Sequence, residues 1–267
     1  MLRASAVAGQ FYPKHAAALA RTLDQLIPPE TAKVPAYGVM VPHAGYVYSG
    51  AVAGRTFARV AISQEVVILG PNHHGAGHPL AVFPGGDWEL PLGKVPIAAD
   101  LTAAILAACP QTTADSVAHQ FEHSLEVQVP FLQTLAPGLS IAAICIGRVN
   151  LDTLLNVGDG LAAALRTRPA RPLLVASTDM THYESAEQAR RKDQLALQHV
   201  LALDPQELYR TVTKERISMC GVLPTVVMLQ AAKALGATSA ELIGYANSGE
   251  VTGDQREVVG YAGVIVA

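Results

Sequence analysis

Charge is scarce in this chain of 267 residues: Asp, Glu, Lys and Arg make up 15%, the net charge is −3, and no run of Lys or Arg stands out. A nucleic-acid groove or an anionic-membrane patch needs a dense basic stretch, so neither partner is expected. Aromatic residues are also few, at 5%, with Trp88 the single tryptophan. Small residues take their place, which suits tight helix-on-sheet packing. The three cysteines, Cys109, Cys145 and Cys220, are odd in number and widely spaced, so no disulfide framework is expected and a reducing cytoplasm is the default setting. No apolar run reaches the ~20 residues needed to span a bilayer. The segment Met1 to Ser5 lacks the long apolar core of a secretory signal. Missing too are a GxGxxG after the first strand, a P-loop, HExxH, paired CxxC and GxSxG, which removes the common dinucleotide, phosphate, zinc and serine-hydrolase signatures.

What remains is an apolar chain. Half its residues are hydrophobic, no linker or repeat interrupts it, and residues 1–267 read as a single domain. Short apolar runs at residues 37–41, 65–69, 140–146 and 172–177 read as buried strands, with 241–245 and 258–266 closing the sheet. Amphipathic or apolar stretches at 15–27, 51–60, 101–108, 122–135, 151–166, 186–203, 205–212 and 222–235 read as helices. Asp100 is expected to cap the third of these, and Pro130 to kink the fourth or delay its start. The Pro/Gly-rich stretch 79–98 reads as hairpin-like strands around Trp88, a flap over one sheet edge. Strands alternating with long helices predict an α/β fold: a mostly parallel central sheet covered by helices on both faces.

Three histidine-bearing segments follow expected strands: Pro42-His43-Ala44-Gly45, Gly70-Pro71-Asn72-His73-His74 and Thr178-Asp179-Met180-Thr181-His182. In an open α/β sheet the strand ends converge on one crevice, so these histidines can meet there. Neighbours in extended chain point to opposite sides, so at most one of His73 and His74 faces the same centre as His43; His73 is taken as the inward one, which spacing alone does not decide. Asp179 and His182, three apart, would share a face if a helical turn followed the strand, and a carboxylate beside an imidazole suits a base. Asp179 or Thr178 could equally cap a short helix. His123 could hydrogen-bond a substrate or stack near a metal. Glu122 and Glu126 could share a helix face, or simply complement the helix dipole. Cys220, just before an expected helix, could have thiolate character and act as a soft metal ligand, or be a small buried hydrophobe. Cys109 and Cys145 are assigned to the core.

These segments occur in order with Ala8-Gly9-Gln10-Phe11-Tyr12, Glu122-His123-Ser124-Leu125-Glu126, Cys220-Gly221 and Tyr245-Ala246-Asn247-Ser248-Gly249. From about residue 8 to the C-terminus the series resembles the Memo family, whose prokaryotic members are called AmmeMemoRadiSam system protein B. The resemblance implies a LigB-like fold, like that of class III extradiol dioxygenases, and a metal pocket. Carried over by motif, its ligands would be His43, His73 and Cys220, with His182 and Asp179 lining the pocket as base or supporting groups. The third ligand of the dioxygenases is a carboxylate, and Cys220 in its place departs from ring-cleaving chemistry. The resemblance further implies iron or copper, a redox role, and a functional link to a radical-SAM protein and an AMMECR1-like protein. Four readings follow. The first is a mononuclear iron or copper protein with open positions for O₂ or a small-molecule substrate, His182, Asp179 and His123 serving the chemistry. The others are an extradiol-type non-haem iron dioxygenase, a non-catalytic scaffold for a partner protein or peptide, and, less favoured, a zinc-dependent hydrolase.

Overall fold

The structure is a computed structural model describing residues 1–30 and 32–267. Its elements, in chain order, are β1 (Leu2–Ala4), α1 (Ala16–Leu26), β2 (Gly38–Val41), α2 (Tyr46–Ala58), β3 (Glu65–Pro71), β4 (Leu80–Val82), β5 (Asp87–Leu90), β6 (Gly93–Pro96), α3 (Ala99–Ala108) and β7 (Thr113–Ala114). They continue with α4 (Val129–Leu135), β8 (Ser140–Ile146), α5 (Leu151–Arg166), β9 (Leu173–Ser177), β10 (His182–Glu184), α6 (Ala186–Leu201), α7 (Pro205–Lys214), α8 (Val222–Leu235), β11 (Ala240–Asn247), α9 (Gly249–Thr252) and β12 (Val258–Val266).

The main sheet runs β10-β12-β2-β9-β3-β8-β4-β7, with β11 also paired to β12. Its centre, β2-β9-β3-β8, is parallel, while β12 and β4 join on either side antiparallel. The central strands are apolar along their whole length because both faces are covered. Alternation sorts their residues. Val66 and Ile68 of β3 face a core shared with α1, α2 and α4; Val67 and Leu69 face a second core shared with α3, α5 and α8. Cys109 and Cys145 are buried as expected. No helix among the described residues is long and apolar enough to cross a membrane.

Several local expectations are corrected. α2 begins at Tyr46 rather than Ala51, with Gly45 as its extended N-cap. β3 does not break at Gly70: it continues through Pro71, pairing only with β8 there, since its pairing with β9 ends at Leu69 opposite Ala176. Ala98, not Asp100, caps α3; Asp100 lies inside its first turn. The 122–135 stretch is helical only from Val129, after a 3-10 turn at Glu126–Gln128, so Pro130 falls in the first turn, where its missing N–H has no helical partner to lose. The hairpin around Trp88 forms, but β5 and β6 join β1 in a separate three-stranded sheet. Trp88 is fully buried there under the Arg3 guanidinium, 4.2 Å from the ring centre.

Candidate metal centre

β2, β9 and β3 are adjacent and parallel, so their carboxyl ends lie side by side. His43 follows β2, His73 follows β3, and β9 between them ends at Ser177. The ring centres of His43 and His73 are 5.2 Å apart, edge to face. His123, from the loop ahead of α4, lies 5.5 Å from His43 and 4.6 Å from His73. Among the described residues these three are the group of histidine, cysteine or acidic side chains whose ligand atoms all fall within 4.8 Å of one another. His43 is buried, His123 half-buried, and His73 sits at the open rim.

The hydrogen bonds settle which nitrogen of His43 is free. Ser177 Oγ donates its one proton to the Ser124 carbonyl at 2.6 Å and accepts from Gln128 Nε2 at 2.8 Å. It can therefore only accept from His43 Nδ1, 3.0 Å away. The proton of His43 is on Nδ1, and Nε2 carries the lone pair. Burial, then the neighbouring His123 and His73, hold His43 well below the usual imidazole range, so it stays neutral. Its backbone N–H donates to Asp179 Oδ1 at 2.7 Å.

His73 is oriented by Glu122, which accepts from His73 Nδ1 at 2.9 Å and from its backbone N–H at 2.7 Å. Burial opposes ionisation of Glu122. The bond and charge of His73, with backbone donors from Ser124 and His73, outweigh it and hold the carboxyl well below its usual range. An ionised acceptor keeps the proton on His73 Nδ1 and leaves Nε2 free, the arrangement in which a carboxylate supports a metal-binding histidine. His123 Nδ1 approaches the same oxygen at 3.6 Å, its ring rests 4.7 Å from Phe11, and burial lowers it to about 4.

Cys220 Sγ lies 3.2 Å from His43 Nε2. Gly221 makes this approach feasible, since a Cβ there would lie 2.3 Å from both the Ser177 carbonyl oxygen and Thr178 Cβ. The expectation of a lowered thiol pKa is corrected. Burial, and then the Asp179 carboxylate, push the thiol well above its ordinary value, so without a cation it is an S–H directed at His43 Nε2.

The Asp179–His182 pair is also corrected. No helical turn follows β9; His182 opens β10, and its backbone N–H bonds to Ser218 Oγ at 2.8 Å. The Asp179 carboxylate is turned to the backbone N–H groups of His43 and Ala44, and burial raises it to about 7 despite them. Nor does Asp179 cap a helix. His182 Nδ1 is buried without a hydrogen-bond partner among the described residues. His74 points away, its Nε2 3.0 Å from the Phe121 carbonyl.

Sequence reasoning missed four supports. Glu122, expected either to share a helix face with Glu126 or to complement the helix dipole, is instead the partner of His73; its neighbour His123 is the available signal. Nothing in the sequence marked Ser177 as the acceptor that selects the His43 tautomer. Asp193 of α6, fully buried, accepts from the Thr181 backbone at 2.9 Å and from Tyr245 Oη at 2.7 Å, anchoring the loop that carries Asp179 and His182. Glu126 is likewise no dipole residue: it binds Arg3 at 2.7 Å, Tyr12 Oη at 2.6 Å and the backbone N–H groups of Ala6 and Val7, stapling the segment that places Phe11 against His123.

A mixed α/β sheet carrying three clustered imidazoles at its carboxyl edge, with a carboxylate behind one of them, defines a protein able to hold a single metal ion. The chain belongs to the Memo family: the family described as "Memo-like protein" matches residues 3–265. It is 42% identical to a MEMO1 family protein of Aquifex aeolicus, covering 99% of this chain and 98% of the relative. It is 40% identical to one of Methanopyrus kandleri, with 99% of each chain covered, and 39% identical to one of Thermotoga petrophila over the full length of both.

Proposed function

We propose that the pocket holds one transition-metal ion, iron or copper, and serves a redox reaction on a small molecule or O₂. The observation that carries this is the hydrogen-bond pattern: Nδ1 of His43 and Nδ1 of His73 are committed to Ser177 and Glu122, which leaves the two Nε2 atoms as the ligand atoms in one cluster. Cys220 Sγ, 3.2 Å from His43 Nε2, is the third donor in this reading. Two imidazoles and a sulfur suit iron(II) or copper better than magnesium or calcium. The bound ion would supply a Lewis-acid and electron-transfer centre.

The chain's own groups do the rest. Glu122 orients His73 and offsets the cation's charge. Asp179 pins the turn that carries His43. In this reading His123, held near Phe11 and neutral at pH 7, exchanges a proton with a bound molecule, and His182, near enough to His43 to disfavour its protonation, assists. The mutual distances of His43, His73 and His123 favour a second version in which His123 is the third donor. The proposal includes a reducing cytoplasm, where Cys220 stays a thiol, and the functional link to radical-SAM and AMMECR1-like proteins.

Metal analysis of protein purified without air tests the proposal. About one equivalent of iron or copper is expected, lost in His43→Ala and His73→Ala. Loss in Cys220→Ala with retention in His123→Ala identifies the sulfur; the reverse identifies the all-imidazole site. A protein that binds no metal under any loading would defeat both versions. A rhombic high-spin ferric signal on oxidation favours iron. Turnover of catechols by the iron-loaded protein would move the reading to an extradiol dioxygenase, and a zinc-only protein would move it to a hydrolase.

A further inference from the structure

We propose that the cavity between the carboxyl end of β8 and the start of α8 is a subsite for a small organic carboxylate with an apolar body, and that Arg148 anchors the carboxylate. The cavity measures about 590 Å³, large enough for a small organic molecule. His73 and Cys220 form part of its wall, so it opens onto the candidate metal centre; its role as a substrate subsite rests on the function proposed above, whereas its capacity to bind an anion does not.

The lining is sharply divided. Met219, Val222 and Leu223 make an apolar wall, and Arg148 is the one permanently charged side chain among the lining residues. A second cavity of about 520 Å³ shares His73 and Arg148 with the first and has no Asp or Glu in its lining. Arg148 follows β8, next to β3 in the parallel centre of the sheet, where ligands of such folds bind. It makes no hydrogen bond or ion pair with any described residue, in contrast to Arg3, Arg59, Arg168, Arg210 and Arg256, each of which has a carboxylate partner. The first residues of α8 and the residue before the N-cap of α5 border the same space, so two helix dipoles add to the positive potential.

A planar guanidinium offers a carboxylate two parallel N–H donors. One guanidinium neutralises one negative charge. A phosphate dianion would keep an uncompensated charge against the apolar wall, which is costly, so the site matches a monoanion. The apolar wall then takes a hydrocarbon or aromatic body of a few carbons, and the far end of the molecule reaches His73 and Cys220.

The test is a titration of full-length protein with 3-phenylpropionate, followed by ligand-observed NMR. Binding is expected for wild type, about tenfold weaker for Arg148→Gln and partly restored in Arg148→Lys. Arg191→Gln, an exposed arginine on α6, should bind as wild type. The neutral analogue 3-phenylpropanamide should bind at least about tenfold more weakly than the acid. Leu223→Trp, checked for an unchanged circular dichroism spectrum, should block binding by filling the cavity. Equal binding by Arg148→Gln, equal binding of the amide, or displacement by inorganic phosphate at matching concentration overturns the assignment. Repeating the titration with His43→Ala separates the two readings. Carboxylate binding in a wild-type protein that takes up no metal would remove the metal centre alone. Metal uptake without carboxylate binding would remove this subsite alone.

Discussion

Two imidazoles in this protein owe their chemistry to a neighbour's hydrogen-bond inventory. Ser177 has a single proton, already given to the Ser124 carbonyl, and Glu122 is ionised, so both histidines present Nε2. Replacing Glu122 by Gln keeps the shape but lets the amide donate or accept, and it removes a buried negative charge beside the candidate metal centre. Metal affinity in Glu122→Gln should fall about 10- to 100-fold, measured by competition with a chelator, while the fold persists. Glu126 is a stability residue by contrast. Its side chain and that of Arg3 are both almost fully buried, and Glu126→Gln leaves the guanidinium without its counter-charge. Unfolding in urea should show a loss of about 3–5 kcal/mol. His119 adds a pH term. It is fully buried, with Nε2 3.0 Å from the Ala81 carbonyl, and burial lowers it to about 4. Its folded pKa lies below the unfolded value near 6.5, so the unfolded chain binds the extra proton as pH falls. Its contribution is intact above about 6.5 and is lost on descending to about 4, roughly 3 kcal/mol in all. A His119→Gln variant should show a shallower fall in Tm over that window; an identical pH profile would refute the assignment.

The junction of β9 with α8 is the element that brings sulfur to nitrogen. Gly221 lies against the end of β9 with no room for a methyl group, because a Cβ would meet the Ser177 carbonyl oxygen at 2.3 Å. Gly221→Ala must therefore push the start of α8 off the strand and carry Cys220 away from His43. It should destabilise the protein by about 1–3 kcal/mol, the range for overpacking, and a variant that folds should bind metal more weakly if the sulfur is a donor. Loop 178–182 is held from its far side by Asp193, which bonds Thr181 and Tyr245. The element boundaries were largely legible in the chain. β8, α5, α8 and β12 begin and end where the apolar pattern does, because both faces of the central strands are buried and the pattern has no competitor. The stretch from Glu122 to Leu135 was less legible: its early residues look helical, yet Glu122 and Glu126 are pulled into separate tertiary bonds that a continuous helix would not allow.

At the scale of the whole molecule, the proposed metal would be linked to the fold. A cation that binds only the assembled cluster stabilises the native state by RT ln(1 + [L]/Kd), about 2.7 kcal/mol at one hundred times Kd. For a chain of this size that is a rise in Tm of roughly 5–10 °C, reversed by chelation and absent from His43→Ala. No rise with any of iron, copper or zinc would count against the metal reading. The sheet order favours such linkage, because the candidate donors at residues 43, 73, 123 and 220 are far apart in sequence and the pairing of β2, β9 and β3 brings the strand ends that carry His43 and His73 together.

The amino-acid sequence by itself determined the α/β class, the strand-to-loop placement of His43 and His73, and the burial of Cys109 and Cys145. Each depends on local pattern: apolar runs, their period, and the Pro and Gly residues that end them. Only the tertiary structure decided that His123 completes the imidazole cluster, that Glu122 stands behind His73, and that Asp179 turns to the His43 backbone rather than to His182. Those outcomes depend on which strands lie side by side and which hydrogen-bond donors are already spent. Neither quantity is encoded in the spacing of residues along the chain.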